Sequence, residues 1–293
     1  TGALLHGNRG RFLDFTPCES PIALQLGGSD PQALAQCAKW AERWGYNEVN
    51  LNVGCPSERV QTGSFGACLM REPRLVADCV AAMQDAAQIP ITIKHRIGID
   101  DDQSYSVLQD FVGHIAQTGC GTFIVHARNA ILKGLSPKEN REIPPLKYDY
   151  VYQLKKDFPD LEIIINGGIK NLAEAQVHLQ HVDGVMIGRE AYHNPYMILA
   201  QADALLYHDD HPVLNRESVL WAMRDYAAQQ TPSASIHYIT KHLLGLYQGQ
   251  AGARTFRRML SDNTLIKQQG LDIFALAIQT MQDIAKQHAQ NTV

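Results

Sequence analysis

Short apolar runs alternate along the first two thirds of the chain with longer segments whose apolar residues recur at helical spacing. Runs at 22–26, 48–52, 91–95, 122–126, 161–165 and 183–187 predict strands. Segments starting at Pro31, 73–87, 104–118, 148–157, 171–180 and 195–207 predict helices. Ser29-Asp30-Pro31 supplies capping and first-turn chemistry for the first helix. Leu34, Cys37, Ala38, Ala41 and Trp44 follow its apolar spacing, and Gly45 closes it. Near-continuous apolar strands alternating with amphipathic helices imply a parallel sheet covered on both faces. From about residue 209 the strand signals vanish. Helical segments near 214–230, 234–248, 253–261 and 271–289 then follow one another, as in a helical bundle, with His208-Asp209-Asp210-His211-Pro212 as the linker.

The expected architecture is therefore α/β: a (β/α)8 TIM barrel over residues 1–208, then an all-α helical bundle domain over 209–293. Such a barrel has eight strands and six are legible. The expectation is that strands 3–8 are present, that strands 1–2 precede Thr1, and that Leu4-Leu5-His6-Gly7 is the tail of an element already under way. Apolar content of 45% and charged content of 19% exclude a disordered or fibrous chain. No apolar run is long enough to span a membrane and no signal peptide pattern opens the chain, which implies a cytoplasmic protein. The six cysteines form no CxxC pair and are expected as free thiols. A net charge of −4 argues against a uniformly basic nucleic-acid binder but allows a local basic face. Nothing points to a protein partner, and the oligomeric state stays open.

Polar residues and glycines gather just after each strand: Gln25, Asn52 with Cys55, Lys94 with Arg96, His126 with Arg128, Asn166-Gly167-Gly168, and Gly188-Arg189. On a barrel these positions share the catalytic rim. The glycines after the last two strands let backbone N–H groups approach a phosphate, or they only make tight turns. Lys94 and His126 are one β/α unit apart and can donate to electron-rich cofactor atoms such as those of a reduced flavin, or they are structural. Cys55, in Asn52-Val53-Gly54-Cys55-Pro56, sits where the chain turns sharply off a strand. A thiol without an activating base is a competent general acid; the alternative is a buried apolar cysteine. Metal-ligand spacing is lacking. Arg254, Arg257 and Arg258 share a helix face at i, i+3 and i+4, suited to tracking phosphates or simply to facing solvent.

Leu24-Gln25-Leu26-Gly27-Gly28, Asn50-Leu51-Asn52-Val53-Gly54-Cys55-Pro56, Ile93-Lys94-His95-Arg96-Ile97-Gly98, His126-Ala127-Arg128, Asn166-Gly167-Gly168-Ile169 and Val185-Met186-Ile187-Gly188-Arg189-Glu190 together resemble the tRNA-dihydrouridine synthase family. Ser136-Pro137-Lys138-Glu139-Asn140-Arg141 is similar to the matching loop of its DusA-like subfamily. The resemblance implies FMN held by Gln25, Lys94, His126, Asn166, Gly167, Gly168, Gly188 and Arg189, with NADPH as reductant and Cys55 as proton donor to uracil C5. It implies tRNA as the partner, met by Asn52, Lys138, Arg141, Arg254 and Arg257, and the D-loop uridines 20 and 20a as targets. Two other readings stay open: a flavin enzyme reducing a free pyrimidine, against which the basic tail argues, and an inactive or merely RNA-binding remnant.

Overall fold

The computed structural model describes residues 1–57, 63, 65–230 and 234–291, grouped in two compact units. The first comprises Thr1–Gly168 with Val177–Met186; the second comprises Ile169–Gln176 with Ile187–Val293.

The first unit contains six strands among its described residues: β1 Ala23–Leu26, β2 Glu48–Val53, β3 Ile91–Arg96, β4 Thr122–His126, β5 Glu162–Asn166 and β6 Gly184–Met186. All pair in parallel, each with the next in sequence. Parallel crossovers are right-handed, so an order that never reverses carries every connecting helix to the same face. A doubly wound sheet reverses its order and is thereby excluded.

Helices Gly2–His6 (α1), Arg9–Leu13 (α2), Pro31–Trp44 (α3), Pro73–Ala86 (α4), Tyr105–Ala116 (α5) and Tyr148–Asp157 (α6) belong to this unit. The Asp30 carboxylate accepts the Ala33 N–H at 2.7 Å to cap α3, and Gly45 ends it at φ 96°, a left-handed conformation suited to glycine. Leu34, Cys37, Ala38 and Ala41 of α3 and Val76, Cys79, Val80 and Met83 of α4 are buried. Val49, Leu51, Val53, Ile93, Phe123, Val125, Ile163 and Ile165 have no solvent exposure at all.

Those strand residues alternate with polar ones. Glu48, Asn50 and Asn52 interleave with Val49, Leu51 and Val53, and Thr92, Lys94 and Arg96 with Ile91, Ile93 and His95. The sheet is thus not apolar on both faces, as the runs implied. Its second face carries a hydrogen-bonded polar layer, which satisfies groups that an apolar covering would leave unpaired. His95 is fully buried, with its ring 5.1 Å from Phe111 of α5, and burial lowers its pKa to about 4.

In the second unit, helices follow at Arg189–His193, Pro195–Tyr207, Arg216–Gln230, Ile236–Thr240, Ala253–Ser261, Asn263–Gln269 and Asp272–Gln290. Leu220, Phe256, Leu260, Ile273, Phe274, Ala277 and Ile278 are members of one buried cluster there. The expected helix over 234–248 is α-helical only over Ile236–Thr240 and continues as turns. Gly245 explains the break: a Cβ there would lie 2.3 Å from the His193 carbonyl oxygen, so the close approach of two backbones outweighs helical continuity. The helices Gly2–His6, Arg9–Leu13, Arg189–His193 and Asn263–Gln269 are short and had no periodic signal to announce them. No helix among the described residues is long and apolar enough to cross a membrane.

Leu51 lies mid-strand in β2 with no exposure, so Leu51→Ala is expected to lower stability by about 3 kcal/mol, read as a fall in the urea midpoint at unchanged slope.

Candidate active site

Strand register brings the predicted rim together. Asn52 pairs with Lys94, Arg96 with His126, and His126 with Asn166. Side chains two apart on a strand share a face, so Gln25, Asn50, Asn52, Thr92, Lys94, Arg96, His126 and Asn166 all belong to the polar face.

Asn52 shapes the turn that presents Cys55. Its Oδ1 accepts the N–H groups of Gly54 (3.0 Å) and Cys55 (3.1 Å), while its Nδ2 donates to Gln25 Oε1 at 3.0 Å. The Cys55 carbonyl accepts the Ala67 N–H at 2.9 Å, and its Sγ donates to Ser57 Oγ at 3.4 Å. The thiol is half-buried rather than packed away like Cys37, Cys79 and Cys120, and all six cysteines are free.

Lys94 has no hydrogen-bond or ion-pair partner among the described residues. Burial, chiefly, and the Arg96 charge lower its pKa to about 8, partly opposed by Cys55. Arg96 is buried and hydrogen-bonded: Nε donates to the Gly54 carbonyl at 3.0 Å, and Nη1 to the carbonyls of Asn129 (3.0 Å) and Asn140 (2.9 Å). Burial brings its pKa down to about 10, which leaves it a cation at neutral pH.

Asn140 in turn organises the loop after β4. Its Nδ2 donates to the carbonyls of Ile131, Leu135 and Ser136, and its Oδ1 accepts the Ile131 N–H at 2.7 Å. Ser136 and Glu139 bond reciprocally: Glu139 Oε2 accepts the Ser136 N–H at 2.8 Å and Ser136 Oγ the Glu139 N–H at 3.3 Å. Those bonds hold the Glu139 carboxyl below its usual pKa. Lys138 and Arg141 project from this loop, both exposed. Arg96 and Asn140 carry no assigned role in the sequence reading. The Ser-x-x-Glu spacing signals the loop, and the two-residue offset from Lys94 places Arg96 on the site face, but the contacts joining them span 44 residues and leave no local signal.

His126 is buried, and its Nε2 lies 3.3 Å from where a Cβ on Gly167 would be. Asn166 Nδ2 donates to the Met186 carbonyl at 2.7 Å. Gly167 and Gly168 have φ of 114° and 75°, and a Cβ on Gly168 would come within 2.7 Å of Leu146. That packing is reason enough for glycine, whatever the turn binds.

The second unit holds the other predicted residues. Gly188 precedes the helix Arg189–His193. Arg254, Arg257 and Arg258 line the exposed side of Ala253–Ser261, opposite buried Phe256 and Leu260, and Arg257 donates to Gln248 Oε1 at 2.6 Å. Among the described residues, no group of three or more His, Cys, Asp or Glu converges as metal ligands.

A half-buried, desolvated cation with no counter-ion among the described residues, on a strand face that also carries the amides of Gln25 and Asn52, suits an electron-rich planar cofactor such as FMN. These features define an α/β protein with a thiol presented at a strand end beside a desolvated lysine. The dihydrouridine synthase (Dus) family model matches residues 1–287, and the chain belongs to that family. It is 56% identical over 283 residues to the tRNA-dihydrouridine(20/20a) synthase of Pseudomonas putida, covering 96% of this chain and 84% of that protein. The synthase of the same name from Shewanella oneidensis is 57% identical over 283 residues with the same coverage, and that of Synechocystis 55% over 278 residues, covering 94% and 83%.

With a folded-state pKa of about 8 against an ordinary 10.5, Lys94 binds fewer protons folded than unfolded between those values. Its contribution to stability therefore rises with pH across that window. Urea denaturation from pH 7.5 to 10.5 is expected to show this rise in the native chain relative to Lys94→Met; parallel pH profiles for the two would refute it.

Proposed function

We propose that this chain reduces uridine to 5,6-dihydrouridine in tRNA, at the D-loop positions 20 and 20a named by its relatives, with FMN as cofactor and NADPH as reductant. The observation that carries this is the identity of 55–57% to tRNA-dihydrouridine(20/20a) synthases along nearly the whole chain. Gln25, Lys94, His126 and the Asn166-Gly167-Gly168 turn bind FMN, and the part of Gly188 and Arg189 rests on the resemblance alone. Bound FMN, reduced by NADPH, supplies the two electrons and one hydrogen that saturate the uracil C5–C6 bond.

The protein supplies the other hydrogen. Cys55 Sγ gives its proton to C5, and Asn52 holds the Cys55 backbone so that the thiol faces the site. The thiolate left behind lies in the field of Lys94 and Arg96, the two cations with which Cys55 interacts electrostatically, and is reprotonated from solvent. Lys94 would also offset negative charge on an electron-rich cofactor held there.

The sheet forms the wall of a (β/α) barrel, residues 1–208 being the flavin-binding domain and 209–293 a helical tRNA-recognition domain. The target base leaves its stack to reach the flavin, as base-modifying enzymes require. Asn52, Lys138 and Arg141 meet the RNA near the thiol, and Arg254 and Arg257 contact phosphates. A tRNA substrate agrees with a cytoplasmic enzyme.

Cys55→Ala is expected to retain FMN, seen as absorbance near 450 nm, while single-turnover reduction of unmodified tRNA slows by about a hundred-fold or more; a full rate would remove the proton-donor role. Replacing Arg254 and Arg257 together by Gln should weaken tRNA binding and reduce the slope of log K against log salt by about two.

A further inference from the structure

The polar face of the sheet carries a hydrogen-bond chain that runs in one direction. The Gly54 and Cys55 N–H groups donate to Asn52 Oδ1 (3.0 and 3.1 Å), Asn52 Nδ2 to Gln25 Oε1 (3.0 Å), and Gln25 Nε2 to Asn50 Oδ1 (2.8 Å). Asn50 Nδ2 then donates to Thr92 Oγ1 (2.8 Å), and the Thr92 hydroxyl donates to the Glu48 carboxylate. A backbone N–H can only donate and a carboxylate can only accept, so the two ends dictate the orientation of every amide between them. Asn50 and Thr92 are buried at 3% and 2% exposure, which denies them water as a substitute partner, whereas Glu48 at the start of β2 is half-buried.

We propose that Glu48, Asn50 and Thr92 are positioning residues for the reductase site: anchored on Glu48, the chain holds Gln25 with its oxygen towards Asn52 and its spare N–H towards the cofactor, and holds Asn52 against the Cys55 turn. Reversing the chain would turn Gln25 Nε2 to Asn52 and its carbonyl to Asn50, and would take Asn52 Oδ1 from the two N–H groups that shape the turn. Hydrogen bonds in series polarise one another, so a break at Thr92 is felt at Asn52. The cofactor half of this inference rests on Gln25 binding FMN; the half concerning the Cys55 turn does not.

Thr92→Val removes the hydroxyl and keeps the shape, and Thr92→Ser restores the hydroxyl. In cofactor-free protein, amide hydrogen exchange at Gly54 and Cys55 is expected to speed up about three- to ten-fold in Thr92→Val and to stay near the native rate in Thr92→Ser. FMN dissociation constants, read by flavin fluorescence, are expected to follow the same pattern, weakened about ten-fold in Val only. Exchange and affinity alike in Val and Ser, whether native or altered, would overturn the proposal. Should Thr92→Val not fold, Glu48→Lys, which puts a donor where the chain needs an acceptor on a half-exposed site, is expected to give the same losses, and native values would overturn it equally. A native chain that binds no FMN would sink the flavin reading while the exchange arm still tests the chain.

Discussion

The buried guanidinium of Arg96 is the interaction on which the rest of the site depends. Its three carbonyl contacts tie the turn at the end of β2 to the segment after β4 and to the loop that presents Lys138 and Arg141. A buried cation satisfied by neutral carbonyl dipoles keeps its net charge, and that charge acts on its neighbours. It helps push Lys94 down in pKa and lies within the electrostatic reach of Cys55. One side chain thus fixes the geometry of the site and sets its field.

The polar face solves a related problem. Strands buried on both faces are ordinarily apolar on both, yet here one face must display amides and cations. A buried amide is tolerable only when it finds a partner, and Asn50 does so through Gln25 and Thr92, while the exposed Gln25 and half-buried Asn52 extend the same network across β1 and β2. The same arrangement that makes burial affordable also orients the groups.

Much of the fold was legible because strands of this kind are punctuated by Gly, Pro and polar residues. All six lie within a residue or two of their expected places, and Asn52, Cys55, Lys94 and His126 stand near strand ends, as the sequence pattern predicts. What stayed hidden depends on register and on distant partners. Nothing in Ile91-Thr92-Ile93 says that Thr92 will meet Glu48 and Asn50, since that follows from the pairing of Asn50 with Thr92. Val, Leu and Ile recur through the strands, so the polar residues at alternate positions of β2 and β3 are outweighed in the apolar pattern. The break in 234–248 had only Gly245 to signal it, and its cause is the backbone at His193, more than fifty positions earlier.

The loop around Asn140 has a further consequence, for entropy. A surface loop carrying two exposed cations would ordinarily lose conformational freedom when it met a polyanion, at a cost of about 1–2 kcal/mol for each residue ordered. Here Asn140 bonds to three carbonyls and an N–H, Ser136 and Glu139 close the turn, and Arg96 pins it from beneath. Its backbone is already committed before any ligand arrives, so the two cations meet a partner from a rigid base and little of their attraction is lost to ordering the chain that carries them.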